Sequence, residues 1–347
     1  MIIHKKILLA RTDRLGDLVL TTPAIKAVRD AYPDAYIAMI VRPYVEEIVK
    51  DNPYLDEVIL YDKYGKHKSF WATFKFAMEI RKRYFDRAII FHPTNRMHMV
   101  TYIANIPRRI GYDNKLKFLL TDNIKNVKHL GMKHERDYTL DMLKSLGIES
   151  DEKELFIPID DNSISQAESI IADNGIRKNE RIIVMHPGAS CASKIWPSER
   201  FAKLADILMQ KHCIKIIVVS GKDEKDIFCA NSVRKFMQND AIFLTGKLNL
   251  RTLAALIKRS ILFVSNDSGP VHVATAVGTP VVDIFGRAQA GLSPLRWGPL
   301  GPKDIVIHKD VGCKETCLAH NCRKGFSCIR AISVDDVYNA ILSLKLL

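Results

Sequence analysis

The sequence predicts an α/β protein made of two successive doubly wound domains, each a parallel sheet covered by helices. Short runs rich in Val, Ile and Leu alternate with amphipathic stretches along the whole chain, the order typical of βαβ units. With 347 residues, the chain is long enough for two domains with separate cores. A polar passage with a proline, residues 149–163, separates the two halves and predicts a linker.

We therefore expect a first domain at residues 1–160, a second at 161–332, and a terminal helix at 333–347 that can pack back on the first domain. The predicted strands are Lys6–Ala10, Tyr36–Val41, Glu57–Leu60 and Arg87–Phe91, then Arg181–Met185, Ile214–Ser220, Ala241–Leu244, Ile261–Val264, Val281–Phe285 and Asp304–Ile307. The predicted helices include Phe70–Arg83, Arg96–Ala104, Glu135–Leu146, Ser165–Asn174, Ser198–Lys211, Glu224–Met237, Leu250–Arg259, Gly269–Ala276 and Ser333–Leu344.

The composition is that of a soluble globular protein, with 47% hydrophobic and 26% charged residues. No apolar run approaches the roughly 18 residues that a membrane-spanning helix needs. The apolar part of residues 1–10 is too short for a signal peptide and has the pattern of a first strand. We therefore expect a cytoplasmic protein.

The chain carries a net charge of +13, and much of the excess lies in the first half. Basic residues gather at Lys63–Lys68, Arg81–Arg83, Arg108–Arg109 and Lys115–Lys133. Such clusters suit anionic partners: nucleic acid, a phosphorylated glycolipid or an anionic membrane surface. A solvated basic surface without a partner gives the same composition, so charge alone does not decide.

The segment Asn266-Asp267-Ser268-Gly269 follows an apolar run and has the residues that begin a helix. A strand, a polar turn and a helix N-terminus together form an anion site, because free N–H groups and the helix dipole meet at one point. His272 comes four residues after Ser268 and can face the same point. An ordinary capped helix is the alternative.

The turn after the first predicted strand, residues 11–25, lacks G-x-G-x-x-G, so the dinucleotide fingerprint of dehydrogenases is absent. Asp17 in this turn has two interpretations. It can cap a helix, or it can act as a general base toward a substrate hydroxyl, since loops at the carboxyl ends of such strands face the ligand crevice.

Residues 186–197 hold the same topological position in the second half. Gly188, Ala189 and Ser190 are small enough to let the backbone approach a phosphate. Lys194 can neutralise the charge of that phosphate. A plain βα loop with a surface lysine is the alternative.

Another predicted strand ends before Asp223 and Glu224, which can accept hydrogen bonds from a ribose. A helix cap is the alternative for Asp223. No Asp-x-Asp occurs in the chain, so the usual carboxylate pair for a nucleotide-bound metal is missing. Any bound phosphate must therefore be neutralised by Lys, His and backbone N–H groups.

Four of the seven cysteines, Cys313, Cys317, Cys322 and Cys328, are spaced closely enough to bind zinc. No CxxC pair is present, which favours an ordered loop without metal. Disulfides are not expected in a reducing cytosol.

Taken together, these segments resemble the ADP-heptose:lipopolysaccharide heptosyltransferases of glycosyltransferase family 9. The shared residues are the opening run 11–25, Arg109-Ile110-Gly111-Tyr112, His186-Pro187-Gly188-Ala189 with Lys194 and Trp196-Pro197, Asn266-Asp267-Ser268-Gly269 with His272, Phe285-Gly286 and the later cysteines. The resemblance runs from residue 3 to about residue 342. It implies a GT-B fold, with two Rossmann-like domains facing a central cleft, the acceptor on the first and the sugar nucleotide on the second.

The resemblance also implies residue roles. Asp17 matches the catalytic base, and Lys194 matches the lysine at the donor phosphates. Ser190, Asp223, Glu224, Asp267, Ser268, Gly269 and His272 fall in the donor site, with the ribose contact at Asp223 or Glu224. Arg14, Arg96 and Arg109 are candidates for acceptor binding.

The implied reaction is the inverting transfer of a heptose or related sugar from an ADP-sugar to a phosphorylated lipopolysaccharide-core acceptor. No metal or other cofactor is required, and no nucleic acid is expected as a partner. The basic first domain suits peripheral contact with the inner face of the cytoplasmic membrane. Two other functions stay open: a sugar-nucleotide epimerase or hydrolase on the same scaffold, and a basic nucleic-acid-binding protein with zinc in its cysteine cluster.

Overall fold

A computed structural model describes residues 5–347, which form two compact units divided between Pro158 and Ile159. The division lies within the predicted linker, two residues before the predicted boundary. The predicted α/β class is confirmed: each unit is a six-stranded parallel sheet with helices on its faces.

The first unit places its strands in the order β3-β2-β1-β4-β5-β6. They are β1 (Lys6–Ala10), β2 (Tyr36–Val41), β3 (Glu57–Leu60), β4 (Arg87–Ile90), β5 (Arg108–Tyr112) and β6 (Asp122–Ile124). Its α-helices are α1 (Leu15–Val19), α2 (Thr22–Ala31), α3 (Phe70–Arg81), α4 (Asn95–Ile103) and α5 (Glu135–Leu143). Residues 7–10 of β1 are buried because helices cover both faces of the sheet.

The second unit repeats this order as β12-β11-β10-β7-β8-β9. Its strands are β7 (Ile182–His186), β8 (Lys215–Ser220), β9 (Ile242–Thr245), β10 (Leu262–Asn266), β11 (Val281–Ile284) and β12 (Ile305–Ile307). Its helices are α6 (Asp161–Asp173), α7 (Ser198–His212), α8 (Glu224–Phe236), α9 (Leu250–Arg259), α10 (Gly269–Ala276), α11 (Pro294–Trp297), α12 (Ser327–Arg330) and α13 (Val334–Ser343).

The terminal helix α13 begins with a capping box, in which Ser333 and Asp336 bond reciprocally through side chain and backbone. Its apolar side, including Val337 and Ile341, joins the core of the second unit. The helix packs on α7 and on β11 and β12. The residues predicted to pack back on the first domain are thus part of the second unit.

Two strands were not among the sequence predictions. The strand β5 carries arginines at 108 and 109, and β6 is only three residues long. Ile110 of β5 is nevertheless buried, and Arg108 pairs with Asp122 of β6 at 3.0 Å. Within residues 5–347, no helix is both long and apolar enough to cross a membrane.

Candidate active site

In each unit the chain reverses its direction of strand addition once, between β1 and β4 in the first and between β7 and β10 in the second. Open parallel sheets bind ligands outside the carboxyl ends of the strands at such switch points. The loops after β1 and β4 lie at residues 11–14 and 91–94, and those after β7 and β10 at residues 187–197 and 267–268. These loops contain five of the polar residues singled out by the sequence: Arg14, Ser190, Lys194, Asp267 and Ser268.

At the switch point of the first unit, Arg11 is a buried hub for three carboxylates. Its Nη2 donates to Asp17 at 2.7 Å and to Glu135 at 3.1 Å, and its Nε donates to Asp13 at 2.8 Å. Burial alone would lower the pKa of Arg11, but the three negative charges outweigh it and raise that pKa above its usual range. Lys128 adds a second cation, at 2.6 Å from Glu135.

The three acids differ in their surroundings. Burial alone would raise the pKa of Asp13, but Arg11 and His92, whose Nδ1 lies 3.1 Å from Asp13 Oδ2, hold it well below its usual range. Asp17 behaves in the opposite way. Desolvation, and next the charge of Asp13, raise the pKa of Asp17 from 3.8 to about 6, with Arg11 opposing them.

Asp17 lies on the short helix α1, and its side chain is 15% exposed, against 1% for Arg11. Its carboxylate caps no helix in this structure: α1 begins after Arg14, which makes no side-chain cap. Asp17 is therefore a largely buried carboxylate that keeps some exposure to solvent and has a pKa raised to about 6, which suits a general base.

At the switch point of the second unit, Asp267 joins two cations. Lys194 Nζ lies 2.9 Å from Asp267 Oδ1, and Arg287 Nη2 lies 3.1 Å from Asp267 Oδ2. All three side chains are largely buried. Asp267 lies two residues before Gly269, the first residue of α10. The two cations and the N-terminus of this helix therefore act at the same edge of the sheet. Arg287 was not predicted from the sequence.

The neighbouring loop is held close to this start of α10. The side chain of Asn266 donates to the carbonyl of Pro187 at 2.7 Å and accepts from the backbone N–H of Trp196 at 3.1 Å. Ser268 contacts Ser265 Oγ at 3.0 Å. These bonds fix the backbone around Lys194 before any ligand binds, which lowers the entropic cost of binding.

His186, the last residue of β7, links this loop to α8. Its Nε2 lies 3.3 Å from Asp226, and its Nδ1 lies 3.3 Å from Ser268 Oγ. Burial alone would raise the pKa of Asp226, but the bond to His186 lowers it below its usual value. A Cβ added at Gly188 would collide with the end of the Asp226 side chain, so the carboxylate would have to turn away from this loop.

A fourth acid, Asp283 on β11, lies beneath the cluster and is completely buried. Among residues 5–347, neither of its carboxylate oxygens has a hydrogen-bond partner. Burial, and next the charge of Asp267, raise the pKa of Asp283 well above its usual range. The surroundings of Asp283 therefore favour its protonated, uncharged form over the carboxylate.

The remaining residues expected at the donor site lie around this cluster. His272 is buried on α10, while Ser190 is exposed on the loop after β7. Asp223 caps α8 by accepting from the N–H groups of residues 225 and 226, and Glu224 is exposed in the first turn of that helix. Asp223 thus caps the helix through one carboxylate oxygen, Oδ1, and the residue that reaches the switch-point loop is Asp226.

The three arginines expected at the acceptor have different settings. Arg14 is exposed beside α1. Arg96 donates to the carbonyls of residues 63, 67 and 68 at 3.0–3.3 Å, and Arg109 donates to the carbonyls of Leu119 and Ile106. Arg96 and Arg109 thus hold backbone segments in place.

The four clustered cysteines line a cavity of about 610 Å³ that also includes Arg287. All seven cysteines are free thiols. Within residues 5–347, no three His, Cys, Asp or Glu side chains lie close enough together to hold a metal ion, so the geometry gives no support to zinc there.

Comparisons with known proteins agree with this architecture. The family model "Glycosyltransferase family 9 (heptosyltransferase)" matches residues 73–325. Lipopolysaccharide heptosyltransferase 3 of Escherichia coli K12 is 24% identical, with 79% of this chain and 80% of the relative covered. Lipopolysaccharide heptosyltransferase 1 of Campylobacter coli is 25% identical, with 98% of both chains covered.

Two solved structures show the fold. The glycosyl transferase family 9 protein from Veillonella parvula superposes with a TM-score of 0.86 at 28% identity, covering 100% of this chain and 99% of that one. The E. coli ADP-heptose lipopolysaccharide heptosyltransferase II superposes with a TM-score of 0.80 at 20% identity, covering 99% and 98%. The predicted GT-B fold is confirmed by these neighbours.

The family match extends over well more than half of the chain and includes the Lys194–Asp267–Arg287 cluster. It does not favour the epimerase, hydrolase and nucleic-acid-binding alternatives. The chain belongs to glycosyltransferase family 9, the heptosyltransferase family, and is a glycosyltransferase.

Proposed function

We propose that this enzyme transfers a heptose, or a closely related sugar, from an ADP-sugar to a lipopolysaccharide-core acceptor, with inversion and without a metal ion. The observation that carries the proposal is the pair of cations on Asp267. Lys194 and Arg287 are held at a helix N-terminus, where the charge of a leaving diphosphate must be neutralised. The relatives named as heptosyltransferases supply the identity of the sugar and the acceptor.

In this proposal the donor diphosphate lies against Ser268 and Gly269, with Lys194 and Arg287 on its oxygens. The cavity of about 610 Å³ beside Arg287 has the size of a small-molecule site and gives room for the transferred sugar. Asp226 and His186 position the loop that receives the nucleotide. Asp223 and Glu224 remain candidates for the ribose contact.

Asp17 is the proposed base. An acceptor hydroxyl attacks the anomeric carbon as its proton passes to Asp17, while the bond from that carbon to the diphosphate oxygen breaks. The transition state is oxocarbenium-like, as in other glycosyl transfers. A carboxylate with a pKa of about 6 is ionised at neutral pH and accepts a proton better than an ordinary aspartate. ADP leaves with the bonding electrons, and the two cations stabilise its charge.

The acceptor is proposed to bind the first unit, with Arg14 the most accessible of the three arginines for its phosphate groups. Arg96 and Arg109 contribute by fixing the adjacent backbone. We further propose that the enzyme works at the inner face of the cytoplasmic membrane, where such a lipid-linked acceptor is presented.

The test is acceptor-dependent release of ADP. The purified enzyme is mixed with ADP-heptose, with or without a deacylated lipid A–core oligosaccharide that lacks the terminal heptose, and with or without EDTA. The proposal predicts ADP release only with acceptor, a heptosylated product by mass spectrometry, and no effect of EDTA. Equal ADP release without acceptor would indicate a hydrolase instead, and loss of activity in EDTA would refute the metal-free mechanism.

A further inference from the structure

The outward face of α3 in the first unit is apolar where a solvated helix should be polar. Thr73, Phe76, Ala77 and Ile80 face the core. On the opposite side, Trp71 is 74% exposed and Phe74 is 37% exposed, and Phe70 at the start of the helix is 58% exposed. A surface helix normally carries charged residues on this side, so the aromatic face requires an explanation.

The three aromatic side chains form one continuous patch. Trp71 contacts Phe70 edge to face at 5.6 Å between ring centroids, and it contacts Phe74 in the same way at 6.2 Å. Because the rings already pack on one another, their orientation is set before a partner arrives. We call Phe70, Trp71 and Phe74 the aromatic patch.

Cations surround the aromatic patch. Lys66 and Lys68 lie exposed in the loop immediately before α3, and Lys75 lies exposed on the helix itself. None of the three has an ion pair among the interactions found in residues 5–347. Arg81, Lys82 and Arg83 follow at the end of the same helix. Aromatic rings flanked by exposed lysines are the composition of membrane-interface segments.

The loop that carries Lys66 and Lys68 is held in place by several hydrogen bonds. Asp62 accepts from the backbone N–H of Gly65 at 2.9 Å, and His67 Nδ1 accepts from the N–H of Asp62 at 2.9 Å. Arg96 binds three carbonyls of the same loop, and Ser69 caps α3. The lysines and the aromatic patch are thus presented together by one rigid segment.

We propose that the aromatic patch and Lys66, Lys68 and Lys75 dock this enzyme on an anionic phospholipid bilayer. The patch lies on the first unit, to which we assign the acceptor. The biological purpose of this docking rests on the proposed function, but the docking itself does not. A bilayer fits better than a second copy of the chain, because two copies would bring the lysines of both against each other. The aromatic rings enter the headgroup region, and the lysines bind anionic headgroups.

The test uses the full chain and vesicles without any glycolipid, so that its outcome does not depend on the transferase reaction. Binding is measured by co-sedimentation with vesicles of phosphatidylcholine alone or with 30% phosphatidylglycerol (on the order of the anionic fraction that attracts basic segments). We expect binding only to the anionic vesicles, with a blue shift of tryptophan fluorescence. Raising the salt to about 0.5 M should weaken the binding severalfold because it screens the lysines.

The variant Trp71→Ser/Phe74→Ser should weaken vesicle binding at least about tenfold, and Lys66→Gln and Lys68→Gln about fivefold each. The matched control is Phe228→Ser/Phe236→Ser, which removes two exposed aromatic residues from α8 of the second unit. It should bind vesicles like the parent. Circular dichroism melting of every variant verifies that it is folded.

Three outcomes would overturn the proposal. The first is equal vesicle binding by the parent and the Trp71→Ser/Phe74→Ser variant. The second is a concentration-dependent dimer that this variant abolishes, which would assign the patch to a second copy of the chain. The third is unchanged vesicle binding together with lost turnover on a deacylated, water-soluble acceptor, which would make the patch an acceptor contact. Failure of the transferase assay alone leaves the vesicle result unaffected.

Discussion

Replacing Asp17 by Asn should make the first unit more stable while removing catalysis. The native environment raises the pKa of Asp17 from 3.8 to about 6, so this environment disfavours the ionised carboxylate. The ion pair with Arg11, at 2.7 Å, does not compensate, because Arg11 is shared with Asp13 and Glu135. Asn has nearly the same shape and carries no charge.

The magnitude follows from linkage between protonation and folding. A rise of about 2 pKa units at 1.36 kcal/mol per unit corresponds to about 3 kcal/mol of destabilisation when Asp17 is ionised in both states. The folded pKa is raised, so this cost is absent below about pH 4, grows between pH 4 and 6, and is complete above pH 6. At pH 5 it should be about 1.5 kcal/mol.

The assay is urea denaturation at pH 8 and pH 5, with hydrogen exchange of β1 and β4 to report on the first unit. Asp17→Asn should raise the free energy of unfolding by about 3 kcal/mol at pH 8 and about half of that at pH 5. The control is Asp30→Asn on the exposed side of α2, which should change stability by less than about 0.5 kcal/mol. A less stable Asp17→Asn variant at pH 8 would refute the reasoning, because it would show that the Arg11 ion pair outweighs desolvation.

Three more predictions concern the second unit. Lys194→Gln and Arg287→Gln should each weaken ADP binding at least about tenfold in calorimetric titration, since each removes a charge-assisted contact; an unchanged affinity would move the diphosphate elsewhere. Asp283→Asn should be at least as stable as the parent in urea at pH 8, because it replaces a buried carboxyl without hydrogen-bond partners among residues 5–347; a loss of more than about 1 kcal/mol would mean that the carboxyl is needed. Ser333→Ala should lower the free energy of unfolding of the second unit by about 1 kcal/mol through loss of the capping box, and a Ser333→Thr variant that restores it is the control.

The elements with strong periodic patterns were predictable from sequence. Strands such as β2 and helices such as α9 and α10 coincide with their predicted bounds, because an apolar run between polar turns has few other solutions. The strand β5 was not predicted, since two arginines at its start hide the apolar side chain of Ile110. Its stability comes from pairing with β4 and β6, and the residue pattern within the strand itself does not show this pairing.

The site residues that could be predicted are those whose position follows from a neighbouring strand. Asp17 and Lys194 follow the first strand of each unit, and topology alone places such residues at the ligand edge of a sheet. The buried hub at Arg11 depends on Glu135, which is 124 residues away. No local pattern reveals such a pair, and none reveals the burial that raises the pKa of Asp17.

Arg287 and Asp226 illustrate the same limit. Arg287 follows β11 and looks like a surface arginine until Asp267, 20 residues earlier, is seen to bind it. Asp226 lies within a helix that opens with Asp223 and Glu224, and only its contact with His186 distinguishes it from them. Arg287 could have been identified from its position shortly after an apolar strand. The same reasoning had already pointed to Lys194.

The central claim, that Asp17 is the base of an acceptor-dependent sugar transfer, is tested most directly by the turnover of Asp17→Asn with ADP-heptose and the deacylated core acceptor at pH 8. ADP-sugar affinity is measured by calorimetry on the same preparation. We expect kcat to fall at least about a hundredfold while the Kd for the ADP-sugar stays within about threefold. Turnover at the parent rate by this variant would contradict the assignment.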